Sequence, residues 1–208
     1  MKMKVLAGVM ISATLLSGCA TKTYYVDQMT GQATKQETVA GLNYRDFSDA
    51  ASQMVQSMLN NPRLRHKDAD KGAVNILVVS NIINDTTQRI DTDQLTKKIR
   101  IDLLNSGQFI TTTAVGLNGA EDEMSQRVRE LKSSKLVNQA TVKGNNTVIA
   151  PDYSLSGKII QRNFTLSDDK QEINYYLQMT MTHLETGLAF WEGEVPIVKQ
   201  GDGRSVSW

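Results

Sequence analysis

Tyr153-Ser154-Leu155-Ser156-Gly157-Lys158-Ile159 and Ile173-Asn174-Tyr175-Tyr176-Leu177-Gln178-Met179-Thr180-Met181-Thr182-His183 set one class of side chain at every second position and its opposite between. A period of two sends the two sets to opposite sides of a pleated strand, so each stretch reads as a strand with one buried face. Ser167-Asp168-Asp169-Lys170 joins them as a hairpin turn, and Glu185-Thr186-Gly187 turns the chain into a third strand from Leu188. Pro196, which has no N–H to donate, is best placed on a sheet edge. The apolar face of such a block needs cover, which the rest of the chain must supply.

Working back toward the N-terminus, Phe47, Ala50, Ala51, Met54, Val55, Met58 and Leu59 recur at helical spacing and predict an amphipathic helix from Asp46 to the break at Asn60-Asn61-Pro62. A basic stretch with Arg63, Arg65, His66, Lys67 and Lys71 leads into Val74 to Val79, a β-branched run that reads as a strand with both faces largely covered. Ile82 to Thr87 reads as the polar loop that closes it. Asp91 with Gln94 forms a capping-box start for a second helix, striped by Leu95, Ile99 and Leu103 and stopped at Asn105-Ser106-Gly107. Phe109 to Thr113 is a short strand.

Glu121, Asp122 and Glu123 sit in the first turn of a third predicted helix and Lys132 and Lys135 near its end, both signs favouring the helix dipole. Met124, Val128 and Leu131 are expected to face inward. Leu136 to Ala150 has no clear period, and Lys143-Gly144-Asn145-Asn146 marks a turn. The expected order is α-β-α-β-α-β-β-β, an α+β fold in which helices pack on a mostly antiparallel sheet.

At the other end of the chain, Lys2 and Lys4 precede an apolar run from Val5 to Leu16, the layout of a secretory signal over residues 1–18. Leu16-Ser17-Gly18-Cys19 resembles the bacterial lipobox, whose cysteine takes a diacylglycerol. Cys19 is the only cysteine, so an intrachain disulfide is impossible. Ala20, where an aspartate would retain the protein at the inner membrane, points to the outer membrane. Residues 19–41 are polar apart from Tyr24-Tyr25-Val26 and read as a lipid-anchored tether, leaving 42–208 as one globular domain. About 21 extended residues would reach roughly 70 Å. Hydrophobic content is 40% and charged content 22%, ordinary for a globular domain. Without Lys2 and Lys4 the balance is 21 basic to 22 acidic side chains, which gives no support to a nucleic-acid partner.

Nothing in the chain spells out catalysis, and no catalytic residue is assigned. Ser167-Asp168-Asp169-Lys170 has Ser-x-x-Lys spacing, but at a hairpin tip and without a Lys-Thr-Gly partner. His66 and His183 lack a second ligand at metal spacing, and there is no phosphate-cradling glycine motif, so neither metal nor cofactor is expected. Asp46 with Asp49, and Glu123 with Glu130, read as solvated helix faces. A protein that recruits a protein partner needs only an anchor and a complementary surface. The candidates are Tyr176 with Gln178 and Thr180 on the outward strand face, and Arg63, Arg65 and Lys67 in the basic stretch.

The lipobox, the helix of Phe47 to Leu59, and the segments Asp152-Tyr153-Ser154-Leu155-Ser156-Gly157, Leu184-Glu185-Thr186-Gly187 and Trp191-Glu192-Gly193 together resemble the LpoB family, as does Asn81 to Thr87, which is similar to that family's Asn-Asn-x-Thr loop. The resemblance covers roughly residues 41–200. It implies a fold like the N-terminal domain of TolB. It also implies an outer-membrane lipoprotein, not an enzyme, that docks on the non-catalytic domain of a class A penicillin-binding protein and stimulates peptidoglycan synthesis. The alternative is a secretion-channel or structural envelope lipoprotein similar to the CsgG group, which shares the C-terminal signature. The best-known LpoB members carry a long proline-rich tether, whereas this chain has three prolines in all.

Overall fold

The computed structural model describes residues 22–167 and 170–202. Cys19, the expected signal segment, and Asp168 and Asp169 of the expected hairpin turn lie outside the described residues.

The alternating stretches form β5 (Tyr153–Ser167) and β6 (Lys170–His183), paired antiparallel from Tyr153↔His183 to Ser167↔Lys170. The third strand, β7 (Leu188–Asp202), pairs along the whole of β6. Gly187 makes the turn between them at φ 70, a left-handed conformation that a Cβ would strain, and its N–H donates to the His183 carbonyl at 2.8 Å. β3 (Asn75–Asp85) lies on the other side of β5 and runs parallel to it, and β4 (Phe109–Thr111) runs parallel to β3. The described strands form a sheet ordered β2-β1-β7-β6-β5-β3-β4. Its junctions are antiparallel from β2 to β5 and parallel from β5 to β4, in keeping with the expected α+β class.

Two helices cover one face. α1 (Tyr44–Leu59) lies over β7 and buries Phe47, Ala50, Ala51, Met54, Val55 and Met58, the stripe read from the sequence. Asn43 caps it, accepting from the Asp46 N–H, while Asp46 reaches back to the Asn43 N–H at 2.7 Å. α2 (Thr92–Asn105) packs on β3 and β4 through Leu95, Ile99 and Leu103, and the Asp91 side chain caps its first turn. The helices run side by side, tied by Ser52 of α1 donating at 3.1 Å to Asp102, which is itself held within α2 by Lys98 at 2.7 Å. The Trp191-Glu192-Gly193 segment has a packing reason. The Trp191 ring folds along its own strand over Gly193 and donates to Ser57 of α1 at 3.1 Å; a Cβ on Gly193 would stand 2.4 Å from the ring and 2.9 Å from the Met54 sulfur.

Three expectations are corrected. The stretch 19–41, read as tether ahead of a domain starting at 42, holds two strands, β1 (Thr23–Val26) and β2 (Ala33–Thr38), and β1 pairs with Lys199 to Gly201 of β7. Polar side chains hid it, because strand addition uses the backbone and leaves no apolar stripe on an edge. The loop assigned to Ile82 to Thr87 is strand as far as Asp85, paired with Gly157 to Ile160 after a register shift that interrupts the alternation. The second face of β3 is largely covered, with Ile76 and Val78 of intermediate exposure, while Val79 shares the Leu77 face and packs against the core. The third helix is reduced to α3 (Met124–Glu130), with no buried residue; Met124 is exposed, as is Leu131, just past its end. Pro196 does sit where β7 is locally an edge, since β1 begins its pairing only at Lys199.

The sheet therefore has two distinct ends. At the Thr23 end lie the start of β1, the end of β7, the β5–β6 turn and the start of α1. At the Tyr153 end lie the starts of β5, β7 and β3 and the loop that leaves α1.

Candidate partner-docking surfaces

Tyr176, Gln178 and Thr180 alternate with Tyr175, Leu177, Met179 and Met181, which are buried under the helices, so the three stand on the opposite face. Tyr176 is half-buried in register between Ile160 of β5 and Pro196 of β7. Gln178 donates to Glu194 at 2.7 Å and Thr180 to Glu192 at 3.2 Å. The face thus offers an aromatic ring in an apolar strip, next to a ladder of exposed carboxylates held by neutral donors. Further along, Lys158 pairs with Asp85 at 2.7 Å and holds that carboxyl below its ordinary range.

Arg63, Arg65 and Lys67 lie elsewhere, at the Tyr153 end, in the loop from α1 to β3. Leu64 is buried and pins this loop, its carbonyl accepting from the buried Asn75 side chain at 2.6 Å. The flanking side chains are thereby turned outward. Arg65 is paired with Asp70 at 2.6 Å, while Arg63 and Lys67 are exposed and have no ion pair among the described residues. Beside them Pro62, Arg65, His66 and Gln108 help line a shallow cleft of about 400 Å³. The structure does not bring the two sets of candidates together.

It does assemble polar groups that the sequence reading passed over. Asp46, read as solvated, is buried, as is Lys199, and the two meet at 2.6 Å. The Lys199 ammonium also donates to the Val39 and Gly41 carbonyls at 3.1 and 2.5 Å, and Tyr25 donates to Asp46 at 2.9 Å. Burial pulls the Lys199 amine below its ordinary value, with the hydrogen bond to Asp46 opposing. Nearby, the Gln88 side chain donates to the Tyr175 hydroxyl at 2.7 Å and accepts from the Leu42 N–H at 3.1 Å, and Tyr175 donates to the Ala40 carbonyl at 3.2 Å. Burial, and then the Asp46 charge, push the Tyr175 phenol up to about 12. Asn84 of the Asn81–Thr87 segment builds the turn that delivers Gln88, donating to its carbonyl at 2.7 Å. Every partner in this network is structural: it clasps residues 38–43 and the β1–β2 hairpin to the sheet. The signal that could have revealed Asp46 is its place three residues after Asn43, which is capping-box spacing.

A larger cleft of about 720 Å³ opens between Ser80 to Ile82 of β3, the first turns of α2 and residues 115–121. Arg100 at its floor is buried and forked onto Glu121 at 2.6 and 2.5 Å, and this pairing holds the Glu121 carboxyl below its ordinary range. Its two terminal nitrogens are thus paired within the chain, while its buried Nε has no hydrogen-bond partner among the described residues. Asp49, Glu123 and Glu130 are exposed, as expected. His183 packs against Tyr153 and Phe190, with ring centroids 5.1 and 5.3 Å away. Among the described residues no group of three or more His, Cys, Asp or Glu could hold a metal ion, and no helix is long and apolar enough to cross a membrane.

The family model for the peptidoglycan-synthase activator LpoB matches residues 46–197, from the capping aspartate of α1 to the middle of β7. The chain belongs to the LpoB family. Among solved structures, the LpoB C-terminal domain from Salmonella enterica is 18% identical, with 73% of this chain and 97% of that chain covered and a TM-score of 0.44. The corresponding Escherichia coli domain gives 18%, 73%, 97% and 0.42. The NMR structure of E. coli LpoB is 16% identical over 94% of this chain and 89% of that one, with a TM-score of 0.40. None of the curated proteins matches the chain. The LpoB family match covers α1 from Asp46, the whole of β3, α2, β4, β5 and β6, and the Tyr176 strip; Lys22 to Val26 and β2 fall outside it.

Proposed function

We propose that this chain is a lipid-anchored protein on the periplasmic side of the outer membrane. In this reading it docks on the non-catalytic domain of a class A penicillin-binding protein and raises its peptidoglycan-synthesising activity, with no catalytic chemistry of its own. The observation that carries the reading is the LpoB family match over residues 46–197. The lipobox ending at Cys19 supports the anchor, and Ala20 after it the outer membrane. The Tyr176, Gln178 and Thr180 strip and the outward Arg63, Arg65 and Lys67 supply an aromatic anchor and a basic patch of the kind protein partners engage. Activation requires only that the active conformation of the synthase be bound better than the inactive one; about 1.4 kcal/mol of difference changes their ratio tenfold.

The test is a pull-down from detergent-solubilised envelope with the full-length chain, followed by glycan-polymerisation assays on what is retained. Retention of a class A synthase with faster polymerisation is the expected outcome, and Tyr176→Ala or Arg63→Ala should weaken retention without unfolding the domain. No synthase retained, or one retained without acceleration, would refute the activator reading.

A further inference from the structure

The strand β1 shortens the leash to almost nothing. Thr23 is paired with Gly201 and Tyr24 with Gln200, and Lys22 is held by Glu37 at 3.2 Å. Only four residue steps separate Thr23 from Cys19, which even fully extended span roughly 14 Å. A lipid on Cys19 therefore fixes the Thr23 end of the sheet close to the bilayer surface.

The register identifies what else occupies that end. Gly201 is opposite Gln171, and Gln171 is opposite Thr165, so the tip of the β5–β6 hairpin shares the level of Thr23. Two large apolar side chains at that tip, Phe164 and Leu166, are each 49% exposed. Val39, directly after β2 and one residue past the Thr23↔Thr38 pair, is 58% exposed at the same level. Isolated exposed apolar residues are ordinary on a protein surface. Here three of them share the one end that the leash holds against lipid, and phenylalanine and leucine are among the side chains that surface-seated segments bury at the headgroup–acyl boundary.

We propose that the Thr23 end of the domain rests on the phospholipid surface that holds Cys19, with Phe164 and Leu166 seated in the headgroup layer. The proposal relies on the lipid anchor read above. The domain then stands on the membrane instead of trailing from it. β5 has 15 residues, which at ~3.3 Å each is roughly 50 Å of strand. The Tyr153 end, with Arg63, Arg65 and Lys67, points away from the bilayer, and a partner must come to that height or to the Tyr176 face.

The experiment places a nitroxide on Leu166→Cys or, at the opposite end, on Leu188→Cys in the full-length chain, where the acylated Cys19 thiol cannot be labelled. The protein is reconstituted into vesicles of phosphatidylethanolamine and phosphatidylglycerol, and collision of each label with oxygen is compared with collision with a water-soluble nickel chelate. The expected result is a severalfold higher oxygen-to-nickel ratio at 166 than at 188, and loss of that excess when Phe164→Glu is added. Equal, water-like ratios at both sites, with mass spectrometry showing the lipid on Cys19, would overturn the membrane seat and leave the anchor standing. An N-terminal peptide without lipid would overturn the anchor and the seat together.

Discussion

Residues 23–38 and 121–135 behave in opposite ways to what their side chains suggest. The first stretch is mostly polar and reads as tether, yet it is built into the sheet. The second has acidic residues at its start, lysines near its end and an apolar stripe, yet its helix is two turns long and buries nothing. The difference lies in what each element needs from the rest of the molecule. A strand joins an open sheet edge through backbone N–H and C=O groups, which every residue but proline carries in full. A short helix is stable only when its stripe meets a complementary apolar surface, and α1 and α2 already occupy that surface. Whereas the amphipathic stretch is tied to the rest of the fold at its start, by the exposed Glu121 on the buried Arg100, the polar hairpin is kept in place, besides its backbone pairing, by the fully buried Asp46–Lys199 pair that Tyr25 joins.

Removing that pair is the strongest way to break the contrast. Lys199→Met leaves Asp46 charged and buried without its cation, and should cost about 3–5 kcal/mol in urea unfolding. Asp46→Asn added to it should recover part of the loss. Hydrogen exchange should show Tyr24 to Val26 released before β5 and β6, and equal protection of all three strands would mean the ion pair is not the clasp.

The neighbouring phenol gives a smaller, pH-dependent handle. Tyr175 titrates near 12 in the folded state and near 10 when unfolded. The folded chain therefore holds a proton that the unfolded chain loses, and stability falls as pH rises from 10 to 12. The part due to Tyr175 is about 3 kcal/mol. Tyr175→Phe should be less steep over that window by this amount, and parallel curves for the two proteins would remove the phenol from the clasp. The smallest effect is expected from the other half of the contrast: Met124→Ala and Leu131→Ala should each change stability by no more than about 0.5 kcal/mol. A loss of 2 kcal/mol or more, the scale of a buried side chain, would mean that α3 packs on a surface after all.

The candidate surfaces were legible in part. Alternation along Ile173 to His183 suffices to put Tyr176, Gln178 and Thr180 on one face, because the period of a strand is a property of the backbone. It could not show that Gln178 and Thr180 spend their donors on Glu194 and Glu192, since those partners come from a strand whose register depends on the turn. The basic loop was visible as composition, but its separation from the Tyr176 strip depends on which end of the sheet α1 delivers it to.

Local sequence determined the elements whose side-chain period matches their burial: α1, α2, the β5–β6 hairpin, the turn at Gly187 and the first half of β3. Each is specified by neighbours within a few residues. The tertiary structure alone decided the rest. Asp46 and Lys199 are 153 positions apart, and no local pattern marks two charges that will neutralise each other inside a core. The edge that accepts β1, the surface denied to α3 and the end of the sheet on which Thr23 comes to lie are all set by how separate elements stack, and stacking depends on surfaces that exist only after the chain has folded.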